Sequence, residues 1–69
     1  MASQGVVIID RDNTYIEVDV KIGRGTTVSP FVFIESGSRI GENCIIEPLS
    51  YIKSGTIIED NTVFKRKNS

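Results

Sequence analysis

The chain has 69 residues, of which 39% are hydrophobic and 25% charged, with a formal net charge of -1. That length holds one small domain, and frequent aliphatics with so little net charge exclude a disordered polyelectrolyte. With no histidine and a single cysteine, an internal disulfide, a Cys/His metal cluster and the commonest general base are all excluded.

Residues 1–15 read as a lead-in strand or as an arm crossing to a neighbour. Gly5-Val6-Val7-Ile8-Ile9 is an apolar run, and Arg11-Asp12-Asn13 reads as a turn. Asp10 falls where the pattern that follows wants an aliphatic residue. No basic stretch leads into an apolar one of signal-peptide length, and no apolar run is long enough to cross a membrane as a helix. A cytoplasmic location is therefore expected, with no membrane partner. The near-neutral charge balance argues against a nucleic-acid partner.

Residues 16–64 carry an internal repeat. Every sixth residue from Ile16 is aliphatic: Ile16, Ile22, Val28, Ile34, Ile40, Ile46, Ile52 and Ile58, with Phe64 ending the series. Four positions after each stands a small or β-branched residue: Val20, Thr26, Val32, Ser38, Cys44, Ser50, Thr56 and Thr62. A period of six fits neither a helix nor a hairpin meander, but it fits a solenoid of short strands joined by turns. An 18-residue period lies over the first. Pro30 and Pro48 share one offset, Asp19, Gly37 and Gly55 a second, and Gly25, Asn43 and Asn61 a third. Gly, Asn and Asp tolerate the positive φ of tight corners. The spacing predicts an all-β fold, a parallel β-helix of about three triangular coils built from hexapeptide repeats. Three inward ladders are expected: Ile16-Ile34-Ile52, Ile22-Ile40-Ile58 and Val28-Ile46-Phe64. The small residues sit inward near the corners, Cys44 among them as an inert packing residue. Residues 65–69 form a basic, solvated tail.

The aliphatic-x-x-x-small-x pattern resembles the hexapeptide-repeat family. The stretch from Asn13 to Pro48 is similar to the first coils of the C-terminal domain of bifunctional acetyltransferase–uridyltransferases that make UDP-N-acetylglucosamine. The matching marks are Thr14-x-Ile16, Val20-x-Ile22-Gly23, Pro30, the Ile40 to Cys44 run Ile-Gly-Glu-Asn-Cys, and Pro48. The resemblance implies a left-handed helix and a homotrimer with parallel prism axes. It also implies an uridyltransferase domain with a glycine-rich phosphate loop, and acetyltransferase chemistry in later coils that uses a histidine. Gly23-Arg24-Gly25 is a repeat corner and not such a loop, and the sequence has no histidine. No catalytic residue, cofactor or metal ligand carries over, and a non-catalytic structural unit is expected. The alternative is a transferase-like protein holding acyl-CoA or a UDP-sugar between subunits, with Lys21, Arg24, Arg39 and Lys53 as candidates to face phosphates. The outward columns carry no regular threonine ladder, so a flat ice-binding array is disfavoured.

One departure concerns the prolines. Family corners often carry Asn after the proline, whereas here Phe31 and Leu49 follow. A bulky residue in a left-handed conformation is strained, so these corners are expected to use another turn or to have their side chains held by a neighbouring subunit. The sixth position of each hexad should face outward: Lys21, Thr27, Phe33, Arg39, Ile45, Tyr51, Ile57 and Val63. Phe31, Phe33, Leu49 and Tyr51 then form one apolar patch, extended by Ile45, Ile57 and Val63. Apolar patches of this kind mark interfaces, and a thin core of this length needs stabilisation from outside. A homotrimer interface is the expected role of the seven residues.

Overall fold

A computed structural model describes residues 5–65. Ten short strands follow one another along them: β1 (Val7–Ile8), β2 (Thr14–Ile16), β3 (Lys21–Ile22), β4 (Thr27–Val28), β5 (Val32–Ile34), β6 (Arg39–Ile40), β7 (Ile45–Ile46), β8 (Tyr51–Ile52), β9 (Ile57–Ile58) and β10 (Val63–Phe64). They pair into three parallel sheets, β1-β4-β7-β10, β2-β5-β8 and β3-β6-β9. Consecutive strands always lie on different sheets, so the chain winds around a three-sided prism. The fold is a parallel β-solenoid of about three coils, as the period of six requires. Successive coils are in register at 18 residues, with Ile16 beside Ile34 and Ile34 beside Ile52.

The strands are only two or three residues long because a corner interrupts each one. β-branched residues suit these short pleated segments, and the third residue of each corner turns the chain. That residue has positive φ at Gly25, Gly37 and Gly55 (80°, 81° and 80°) and at Asn43 and Asn61 (57° and 61°). Glycine meets no steric penalty there, and asparagine meets little. Asp19, in the same column as Gly37 and Gly55, does not share the left-handed conformation. The coil backbones also approach closely at the corners. A Cβ added to Gly23 would stand 2.7 Å from the carbonyl of Gly41 one coil on.

The interior is the expected one. Val28, Val32, Ile34, Ile40, Cys44, Ile46, Ile52 and Ile58 are buried and form one apolar cluster, against which Ile8, Ile16, Val20, Ile22 and Phe64 pack from the ends. The small inward residues fill the corners and satisfy their own polar groups. Thr26 Oγ1 donates to the Gly41 carbonyl at 2.7 Å and accepts from the Cys44 amide at 3.1 Å. Ser38 Oγ donates to the Lys53 carbonyl at 2.9 Å, and Ser50 Oγ to that of Glu47 at 2.6 Å. The Cys44 thiol is buried and directed at the Glu59 carbonyl, 3.1 Å away. Among the described residues no buried side-chain polar atom lacks a partner, which limits the cost of placing hydroxyls in a thin core.

The lead-in belongs to the solenoid. β1 pairs with β4 of its own chain, Val7 beside Thr27 and Ile8 beside Val28, so this segment forms a first rung of the stack. Ile8 and Val28 are 20 apart, whereas Thr14 and Val32 are 18 apart. Two extra residues therefore lie in the first corner, and a 3-10 turn over Arg11–Asn13 absorbs them. Asp10 does not occupy a rung position at all. Its side chain caps the turn, accepting from the Asp12 amide at 3.2 Å and from Asn13 Nδ2 at 2.8 Å. Of the basic tail, Lys65 is exposed, and residues 66–69 lie outside the described residues. No helix of the described residues is long and apolar enough to cross a membrane.

Candidate functional site

The three outer faces differ in chemistry because each sheet places one column of side chains outward. On the sheet β2-β5-β8 the column is Tyr15, Phe33 and Tyr51, in register. The rings form a continuous aromatic ridge, with centroids 5.9 Å apart for Tyr15 and Phe33 and 5.7 Å for Phe33 and Tyr51. On the sheet β1-β4-β7-β10 the column is Val7, Thr27, Ile45 and Val63. Ile9 is exposed at the end of β1. Phe31 and Leu49 occupy the corner that joins these two sheets, 56% and 58% exposed. The third sheet, β3-β6-β9, carries Lys21, Arg39 and Ile57 in register.

Six of the seven residues expected at an interface therefore lie on two adjoining sheets and the corner between them. Ile57 lies on the third sheet in line with Arg39, away from the others. Tyr15, Val7 and Ile9 extend the apolar surface and were not part of the expected set. Tyr15 precedes Ile16 as Phe33 precedes Ile34, so carrying the outward column back by one hexad finds it. Val7 is hidden from a strict count by the two extra residues of the first corner.

The proline corners correct the expectation of a different turn. Phe31 and Leu49 have φ of 62° and 63°, the conformation that Gly and Asn supply at the other corners. For a bulky L-residue it costs about 1–2 kcal/mol. The backbone is tied down on both sides: the Phe31 amide donates to the Asn13 carbonyl at 2.6 Å, and the Leu49 amide to that of Pro30 at 3.4 Å. The uniform solenoid path imposes the strain, and the side chains so placed point into solvent. Such strain recurs where function needs a particular side chain. Phe31→Asn and Leu49→Asn should each stabilise the dissociated protomer by about 1 kcal/mol while weakening any assembly built on this corner. Urea unfolding of the protomer and sedimentation of the assembly read the two opposite signs.

A polar ladder borders the aromatic ridge. Glu17 accepts from the Ser36 amide at 2.9 Å, and Glu35 from the Ser54 amide at 2.9 Å. The second Glu35 oxygen accepts from the Tyr51 hydroxyl. The Tyr51 hydroxyl, followed by the Ser54 amide, holds the Glu35 carboxyl below its ordinary range. The same bond to Glu35 pushes the Tyr51 phenol up. These carboxylates position side chains and cap backbone amides, and neither stands in an enclosed, desolvated site suited to acid–base chemistry. Among the described residues no group of three metal-ligating side chains comes together.

A three-sided parallel solenoid with an aliphatic rung residue every six positions is the architecture of hexapeptide-repeat proteins. Residues 37–66 match the profile of the family described as bacterial transferase hexapeptide (six repeats). Among curated proteins it resembles bifunctional protein GlmU of Thermosipho melanesiensis, with 54% identity over 35 residues, or 51% of this chain and 8% of that protein. The GlmU of Thermosipho africanus is 53% identical over 32 residues, 46% of this chain and 7% of the relative. That of Symbiobacterium thermophilum is 60% identical over 30 residues, 44% and 6% respectively. The matched stretch spans less than a tenth of each relative's length. No solved structure matches the chain with significance.

Proposed function

We propose that this chain is a structural, self-associating unit of the transferase hexapeptide class, assembling as a homotrimer with parallel prism axes and supplying no catalytic group of its own. The observation that carries the reading is the distribution of apolar surface. Two of three faces are apolar outward, and the corner between them holds Phe31 and Leu49 in strained backbone conformations. Contiguous exposed apolar surface on a small protein is a docking surface, and aromatic residues dominate such interfaces. In the trimer the Phe31/Leu49 corner and its two flanking sheets face the neighbours, while the Lys21/Arg39/Ile57 face stays in water. The proposed setting is the cytoplasm. Sedimentation equilibrium of the full chain at micromolar concentration should give the mass of three chains. A stable monomer would overturn the proposal.

A second reading follows from the likeness to bifunctional GlmU proteins: the subunit junctions of such a trimer hold acyl-CoA or a UDP-sugar. Thermal-shift measurements with CoA, acetyl-CoA and UDP-N-acetylglucosamine separate the two. A saturable rise in Tm supports ligand binding, and no rise at millimolar ligand leaves the structural role alone.

A further inference from the structure

We propose that the third face of the solenoid binds a phosphate monoester carried on a small apolar body, in the groove formed by Val18, Asp19, Val20, Lys21, Gly37 and Arg39. The groove is a shallow, solvent-open depression of about 470 Å³ where the corner leading out of β2 meets strands β3 and β6. It lies within one protomer and on the face that the proposed trimer leaves free, so it does not rest on that reading.

Lys21 and Arg39 are direct partners across the parallel pair β3-β6, and both are exposed. Like charges placed opposite one another in a sheet repel and weaken it, so the pair contributes nothing to holding the coils together. The acidic groups of the neighbouring corner are engaged elsewhere. Glu17 is committed to the Ser36 amide, and Glu35 to the Ser54 amide and the Tyr51 hydroxyl. Asp19 is the acidic residue that lines the groove. Two cations against one carboxylate leave the groove with one net positive charge.

A shared oxyanion removes the repulsion. A phosphate monoester is dianionic near neutral pH, and its oxygens can accept from the planar guanidinium fork of Arg39 and from the Lys21 ammonium together. Gly37 lines the groove with bare backbone, so no side chain from that position stands between the ligand and the cations. Apolar surface flanks the cations on both sides. Val18 is 94% exposed at the corner, and Ile57 is 72% exposed one rung beyond Arg39. The ligand is thus an anionic head with an apolar body, and phenyl phosphate is a suitable probe.

The test is an amide chemical-shift titration of the full chain with phenyl phosphate, inorganic phosphate and benzoate. Phenyl phosphate should shift the resonances of Lys21, Gly37 and Arg39 saturably in the millimolar range. Arg39→Gln or Lys21→Gln should weaken it about tenfold, the scale of one charge-assisted hydrogen bond. Asp19→Asn should tighten it, and Val18→Ser should weaken phenyl phosphate while leaving inorganic phosphate unchanged. All four variants lie on exposed positions and should keep the dispersed spectrum of the folded chain. Shifts scattered over every surface cation, or an unchanged titration in Arg39→Gln, would overturn the proposal. Benzoate binding as tightly as phenyl phosphate would overturn the assignment of a dianionic head.

Discussion

Ile34→Asp unfolds the chain. Ile34 is completely buried and stands between Ile16 and Ile52 in the ladder of the sheet β2-β5-β8. Removing its side chain from a packed core costs about 2–5 kcal/mol. The carboxyl that replaces it has no polar partner among the aliphatic ladder residues, and burying such a group adds about 1–3 kcal/mol or more. A chain of 69 residues has about 3–10 kcal/mol of stability in all, on the usual per-residue scale. Together these costs, about 3–8 kcal/mol or more, take up most or all of that margin, and far-UV circular dichroism should show loss of the native spectrum without denaturant. Ile57→Asp is the control. Ile57 is aliphatic too but points outward and is 72% exposed, so its replacement should cost about 1 kcal/mol or less. Equal damage from both variants would refute the alternation of inward and outward columns.

Phe33→Glu with Tyr51→Glu converts the proposed trimer to a monomer. Both side chains sit on the aromatic ridge, in register and 5.7 Å apart by ring centroid. In the isolated protomer they are 37% and 55% exposed, so carboxylates placed there remain solvated. The protomer loses the aromatic contacts, about 0.5–1.5 kcal/mol per pair, and gains repulsion from Glu35, which loses its Tyr51 donor. At a subunit interface the same carboxylates would be buried without partners, at several kcal/mol each. Dissociation is therefore the larger effect. Sedimentation velocity should show the mass of one chain, with a lowered but measurable Tm. A double variant that sediments as the parent does would remove the aromatic ridge from the interface.

The sequence discloses this fold through its columns. A ladder residue such as Ile34 or Ile46 is read from the period alone, because every coil must place an aliphatic group at the same point of the prism. Cys44 is read the same way, as one member of a small inward column. The first corner is illegible because its two extra residues break the count. Asp10 falls by arithmetic where Ile8 stands in space, and the apolar run around Ile8 offers no way to choose. The proline corners are illegible for a different reason. Local preference argues against a left-handed Phe31 or Leu49, yet the coils above and below dictate the path, and tertiary constraint overrides propensity. Outward residues are read only as a class. Which sheet carries Ile57, and hence whether it joins Phe33 or Arg39, follows from counting three faces per coil, and that count separates it from the patch.

The constant spacing of coils also bears on how the molecule forms. Away from the first corner every pairing joins residues 18 apart, as in Thr14 with Val32 and Val28 with Ile46. No pairing depends on a distant part of the chain, so each new coil closes a loop of the same length at nearly the same entropic cost. Such a chain zips: two neighbouring coils form the nucleus, and the rest add one turn at a time. Melting runs in reverse, from the outer turns inward. Amide hydrogen exchange should be slowest in β4, β5, β6 and β7, whose rungs are covered on both sides, and fastest in β1 and β10.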